Sequence, residues 1–199
     1  MWIQYKRIIK DNGAILLTAQ TPFDKILGCS NLEWLRYEWI WEKKQPTGHL
    51  NAKKMPMKSH ENILVYYSKL PTYNPIKTFD HPRKVSTAHH KRNTDSGEIY
   101  AKANNFVDYD STERYPRSVI VFGSDKQKLN LHSTQKPVAL FEYLIKTYTN
   151  EGDIVLDNVA GSGTTGIACL NLNRKYILIE KEKRFFDIII DRIENNGNN

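Results

Sequence analysis

The sequence predicts an α/β protein with a Rossmann-like, largely parallel sheet, and three observations carry that expectation. First, a short apolar run, Ile154-Val155-Leu156, ends in Asp157 and leads into Gly161-Ser162-Gly163-Thr164-Thr165-Gly166. Glycines at such a turn let the backbone approach a ligand, because no Cβ stands in the way. Second, a helix-like stretch, Thr164 to Leu172, follows the turn, and then a second strand, Tyr176 to Ile179, ends in Glu180. This strand–turn–helix–strand unit is suited to a nucleotide-like cofactor, with the terminal carboxylate able to accept hydrogen bonds from ribose hydroxyls. Third, short apolar strands alternate with helical patterns upstream.

Taken in order, Trp2 to Lys10 reads as an amphipathic helix with Trp2, Tyr5, Ile8 and Ile9 near one face. Asp11-Asn12-Gly13 turns the chain into a strand, Ala14 to Ala19. Pro22 to Ser30 reads as a helix, Tyr37 to Trp41 as an aromatic and β-branched strand, and Ile63 to Tyr66 as a buried strand. Trp41 to Ser59 reads as a loop region, marked by Gly48 and Pro56 and carrying Lys43, Lys44, Lys53, Lys54 and Lys58. From Lys69 to Asn130 the texture is rich in Pro, Asn, Ser, Thr and Tyr, Lys and Arg outnumber Asp and Glu, and only Val119 to Phe122 reads as a strand. The last helix, Lys183 to Asn195, presents Phe185, Phe186, Ile189, Ile190 and Ile193 as its core face. Three segments result: 1–68 and 131–199 as parts of one sheet, and 69–130 as a loop-rich basic insertion.

At 199 residues the chain is about one domain and long enough for a substantial core. The formal charge of +7 suggests an anionic partner, with nucleic acid the usual candidate. Two distant cysteines, Cys29 and Cys169, imply no disulfide framework and fit a reducing cytoplasm. No apolar run approaches membrane-spanning length, and no signal-peptide core is present at the N-terminus. His60-Glu61 lacks the second histidine of a zinc helix, and His81, His89 and His90 lack nearby cysteines, so no metal is expected. No phosphate-hydrolysing P-loop is present.

Two cofactors compete for the glycine-rich turn. It fits G-x-G-x-x-G literally, and Glu180 lies at about the offset of a dinucleotide fold, so a nicotinamide-dependent oxidoreductase is one reading. A dinucleotide fold, however, starts with this turn, whereas here only a helix and a short tail follow Glu180. Asp157 ahead of the turn also suits an ammonium-bearing ligand such as S-adenosylmethionine better than a pyrophosphate.

The upstream segment decides between them. His132-Ser133-Thr134-Gln135-Lys136-Pro137 precedes an apolar helix, and the set HSTQKP, VLDNVAGSGTTG and LIE resembles the C-terminal half of DNA amino-methyltransferases, which act on adenine N6 or cytosine N4. It is similar to the circularly rearranged subgroup with the catalytic half before the cofactor half. NAKKMPMKSHENILVYYSKLPTYNP and STERYPRSVIVF extend the resemblance over almost the whole chain. The resemblance implies an S-adenosylmethionine-dependent methyltransferase fold and double-stranded DNA as substrate, adenine N6 ahead of cytosine N4. Position by position, it implies cofactor contacts from Thr134, Lys136, Asp157, Gly161, Ser162, Gly163, Thr164, Thr165 and Glu180, with Ser133 in place of the usual proline. It makes 69–130 the target-recognition region. The five lysines between Lys43 and Lys58 are expected to contact DNA phosphates.

The family's catalytic motif, Asp, Asn or Ser followed by Pro-Pro and Tyr or Phe, does not occur in these residues. In the subgroup it lies upstream of the first helix, so the resemblance implies an N-terminally truncated chain lacking that loop and the strand leading into it. Neighbouring strands would then keep unpaired edges, which favours association. One reading is that a separate polypeptide supplies the missing segment of the enzyme. The alternative is an inactive remnant or non-catalytic DNA- or cofactor-binding module.

Overall fold

The computed structural model describes residues 1–86, 109–123 and 135–196. They group into two compact units, one of Met1–Asn74 with Arg117–Asn199 and one of Pro75–Pro116.

The larger unit holds a four-stranded sheet in the order β1-β3-β2-β6, with β1 at Ile15–Ala19, β2 at Leu35–Thr47, β3 at Lys58–Tyr66 and β6 at Val119–Phe122. A separate parallel pair is formed by β7, Ile154–Asp157, and β8, Lys175–Leu178. The smaller unit holds the antiparallel pair β4, Lys84–Ser86, and β5, Tyr109–Ser111, braced by Arg83–Asp110 and Lys77–Glu113 ion pairs. The described residues also form five α-helices: α1 Trp2–Ile8, α2 Phe23–Cys29, α3 Val138–Tyr148, α4 Thr164–Asn171 and α5 Lys183–Asn196. None among the described residues is long and apolar enough to cross a membrane.

The expectation of a largely parallel sheet is corrected. β1 and β2 both pair antiparallel to β3, and only β2·β6 and β7·β8 are parallel among the described residues. The cause is the segment read as loop: β2 runs on to Thr47, turns through a short 3₁₀ segment at His49–Asn51 and returns directly as β3. A local return of this kind can only pair antiparallel. β6, read from sequence as part of the insertion, joins the main sheet beside β2.

Alternation along the strands sorts the core into two layers. Ile63 and Val65 of β3, with Trp39, Trp41 and Ile120, meet Leu140, Leu144 and Tyr148 of α3. Leu64 and Tyr66, on the opposite face, meet Leu27 of α2 and Trp2 of α1. Each such buried side chain contributes roughly 1.5–3 kcal/mol of transfer free energy. The Trp39 indole N–H donates to the Tyr148 hydroxyl at 2.7 Å, which satisfies the polar handle of a buried ring. α3 also serves the second sheet: its Ile145 packs with Ala168, Cys169 and Leu172, against Val155 of β7 and Tyr176 of β8. On the last helix, only part of the expected core face is covered. Ile189 is buried, whereas Phe186 and Ile190 are exposed, because only one stripe of the helix meets α4 and the glycine-rich turn.

Candidate cofactor site

The site forms where β7 ends. Pairing between β7 and β8 continues past the strands: the Ile179 N–H donates to the Asp157 carbonyl at 2.9 Å, and the Ala160 N–H to the Ile179 carbonyl at 3.0 Å. This brings Glu180 back over the turn. Its carboxylate accepts from the Gly161 N–H at 2.8 Å and from the Glu182 N–H at 2.9 Å. The Asp157 carboxylate accepts from the Val159 N–H at 3.1 Å and from the Thr165 hydroxyl in the first turn of α4. Two carboxylates are thus held by backbone and helix at the two sides of one loop. Each oxygen pair retains acceptor capacity, since an ionised carboxylate offers about four acceptor sites.

Gly161 and Gly163 have φ of +54° and +79°, the left-handed region that disfavours a Cβ. A Cβ at Gly163 would also stand 3.0 Å from Ile189 Cγ1. Gly166 serves packing instead. A Cβ there would meet Leu178 Cδ1 at 2.6 Å, so its absence lets α4 lie close to β8.

The remaining expected cofactor residues fall as follows. Ser162, Thr164 and Thr165 are buried in the turn and the start of α4. The Thr164 hydroxyl donates to the Lys136 carbonyl at 3.4 Å, which ties the segment ahead of α3 to this turn. Pro137 caps the N-terminus of α3, where its missing N–H is no loss. Thr134 lies outside the described residues. Burial pushes the Cys169 thiol of α4 up to about 11, which suits a packing residue rather than a nucleophile.

Two residues were not assigned to the site from sequence. Arg192 of α5 donates to the carbonyl and hydroxyl of Ser162. Its place three residues after Ile189 on the covered stripe of that helix is the only sequence signal. Glu61 of β3, buried with 7% of its side chain exposed, pairs with Lys43 at 2.7 Å and Lys136 at 3.1 Å. Burial alone would raise its carboxyl, but the two ammonium groups outweigh that and hold it below the usual carboxylate range.

This cluster corrects one expectation. Lys43 does not share the exposure of the other lysines expected to contact DNA: its side chain is 9% exposed, paired with Glu61, and its ammonium lies 5.3 Å from the Trp41 ring centre. Strand alternation is the reason, since Lys43 shares a face with Trp39 and Trp41 while Lys44 points the other way. Lys44, Lys53, Lys54 and Lys58 are exposed on the β2–β3 hairpin, together with Leu50 and Met55.

A parallel β7–α4–β8 unit with a carboxylate on either side of a glycine turn defines the cofactor-binding part of a Rossmann-like methyltransferase fold. A family model described as DNA methylase, for N6 and N4 methyltransferases, matches residues 1–191, and the chain belongs to that family. It is 28% identical over 193 residues to the type II methyltransferase M2.MboI of Moraxella bovis, covering 94% of this chain and 61% of that protein. It is 28% identical over 201 residues to M.HinfI of Haemophilus influenzae, covering 97% of this chain and 50% of that protein. The chain therefore spans between half and two thirds of these relatives. Among solved structures, the M1.HpyAVI–SAM complex matches with a TM-score of 0.66 at 26% identity, over 96% of this chain and 78% of that one. PvuII DNA methyltransferase (cytosine-N4-specific) shares the fold, with a TM-score of 0.57 at 15% identity over 94% of this chain and 72% of that one. Family membership replaces the dinucleotide-oxidoreductase reading of the glycine turn.

Proposed function

We propose that this chain carries the S-adenosylmethionine-binding part of a DNA methyltransferase that transfers a methyl group to an exocyclic amine, adenine N6 ahead of cytosine N4. The observation that carries the reading is the turn itself: Asp157 and Glu180 fixed on either side of Gly161–Gly163, with the Lys136 segment tied to it through Thr164. The cradle fits the cofactor's chemistry. Glu180 retains lone pairs for ribose hydroxyls, Asp157 suits the ammonium group, and the glycines keep the ligand's approach clear of Cβ atoms. Ser162, Thr164 and Thr165 supply hydroxyls and amides, and the family resemblance assigns Lys136 and Thr134 to the methionine end.

The sulfonium makes the methyl electrophilic, so the transfer requires no metal. What the protein must supply is placement of the amine lone pair in line with that methyl, and a target base withdrawn from its duplex. The exposed lysines Lys44, Lys53, Lys54 and Lys58 suit phosphate contacts beside the target. Residues 69–130 are assigned as the target-recognition region. The second reading is a non-catalytic DNA- or cofactor-binding module.

Titration calorimetry with S-adenosylhomocysteine and with NAD⁺ tests the cofactor assignment. Saturable binding of the first and none of the second is expected; the reverse refutes the proposal. Labelled-methyl transfer to unmethylated duplex DNA then separates the enzyme from the binding module.

A further inference from the structure

The β2–β3 hairpin outruns the sheet that carries it. β6 pairs with β2 only as far as Lys43, and β1 pairs with β3 only from Asn62. Past those positions the two strands have only each other among the described residues, and their register re-forms at Thr47–Lys58 after an irregularity. Four strand residues beyond Lys43 and the closing turn reach on the order of 15 Å past the sheet. Every residue from 44 to 60 is exposed. The end of this arm is nonetheless a defined turn. The Asn51 N–H donates to the Gly48 carbonyl at 3.0 Å and the Ala52 N–H to the His49 carbonyl at 3.1 Å, while the Lys54 and Met55 N–H groups both donate to the Asn51 carbonyl, at 2.8 and 3.0 Å. The base of the arm is tied to the cofactor turn. Lys43 and Glu61 pair at 2.7 Å, Glu61 holds Lys136 at 3.1 Å, and the Lys136 carbonyl accepts from Thr164. β2 and β6 run parallel, so the arm leaves from their shared carboxyl end, where ligands of such sheets bind.

Its chemistry has two parts. Residues 44–60 hold Lys44, Lys53, Lys54 and Lys58, with His49 and His60, and no Asp or Glu. At the far end, Leu50 is 88% exposed and Met55 53%. A single exposed leucine is ordinary. Here two large apolar side chains share one short turn, with Lys53 and Lys54 between them in the chain. Lysines alone would serve phosphates; they give no reason for a leucine at the outermost position. The partner that complements both parts carries negative charge along its edges and a stacked apolar interior between them, which describes duplex DNA. A second copy of this chain is a poor complement. Its net charge is +7, and a two-fold contact through the arm would set like charges against each other. An anionic lipid surface would match the charge, but it has no use for an arm fastened to the cofactor turn.

We propose that residues 44–60 are a wedge arm: the exposed lysines straddle phosphates, Leu50 inserts between two adjacent base pairs, and Met55 covers the opened step. The methionine suits that place, since its unbranched, polarisable side chain adapts to an irregular surface. Unstacking a step is unfavourable, and the added contact with the bent duplex offsets it. A loosened step also lowers the cost of withdrawing a base from its stack, which methyl transfer to an exocyclic amine requires. Because Glu61 fastens the base of the arm to Lys136, the opened step is held at a set distance from the cofactor turn. The wedge rests on the reading of DNA as substrate and assigns Leu50 a role that phosphate contacts do not.

Fluorescence anisotropy of the 199-residue chain tests the wedge, with a mixed-sequence duplex and the same duplex carrying a central abasic site. The abasic site has already lost its stack, so the chain is expected to bind it roughly tenfold more tightly than the intact duplex. Leu50→Ala should bind the two alike, with the slope of log K against log salt unchanged because no phosphate contact is removed. Leu50→Met should restore the preference. The exposure of Leu50 keeps these substitutions clear of the core. A preference that persists in Leu50→Ala overturns the proposal. Equal binding of the two duplexes by the unaltered chain, with a steep salt dependence, removes the wedge and leaves the DNA reading standing; binding to neither duplex removes both. Self-association in sedimentation, or binding to phosphatidylserine vesicles, that is lost in Leu50→Ala while the two duplexes bind alike reassigns the tip to a second copy or to lipid.

Discussion

Replacing Glu61 by alanine would leave two lysines, Lys43 and Lys136, with side chains 9% and 18% exposed, and without the carboxylate that now joins them. Breaking a buried ion pair from one side costs about 3–5 kcal/mol, because an uncompensated charge stays behind. Lys136 keeps enough exposure to recover some hydration, so the lower figure, about 3 kcal/mol, is expected. For a chain of this size that lowers Tm by roughly 6–12 °C. Glu61→Gln keeps an acceptor and should lose less, about 2 kcal/mol. The assay is urea unfolding of both variants beside Lys183→Ala, which breaks an exposed helix pair with Asp187 and should barely move the midpoint. The pH dependence has a definite sign. The folded-state pKa of Glu61 is depressed, so its contribution is fully present above the unfolded value near about 4.3 and is lost as pH falls through the lower folded value. The gap between wild type and Glu61→Ala should therefore close only on acidification below that point. A midpoint shift for Glu61→Ala no larger than that for Lys183→Ala, or a gap constant down to low pH, would refute the clamp.

Gly163→Ala places a Cβ on a backbone of φ +79° and within 3.0 Å of Ile189. It should destabilise the chain by about 1–2 kcal/mol and weaken S-adenosylhomocysteine binding in calorimetry; unchanged values for both would mean the turn tolerates a side chain. Lys53→Ala combined with Lys54→Ala should flatten the slope of log K for DNA against log salt by about 1.8, as expected for two lost phosphate contacts. An unchanged slope would remove the hairpin from the DNA interface.

The local parts of this protein were legible in its sequence. Ile154 to Asp157, the glycine turn and Glu180 form a contiguous unit whose meaning depends on spacing alone, and the structure places that strand, turn, helix and following strand within a residue or two of the reading. Helix α3 was plain from Pro137 and the apolar stretch after it, and β3 from its buried half, Ile63 to Tyr66, while its start at Lys58 lay in the segment read as loop. Sheet direction was not, because alternation of strands and helices is compatible with either sense until the chain's return path is known. The β2–β3 hairpin fixed that, and it also separated Lys43 from Lys44, adjacent in sequence but on opposite faces of a strand. Glu61 acquired its role only through two lysines from distant segments, and Arg192 through the docking of a terminal helix on the turn. The residues themselves determined the chemistry near the cofactor turn. Tertiary structure alone decided which charges became buried and which strands became neighbours, because burial and strand pairing are set by residues far apart in the chain.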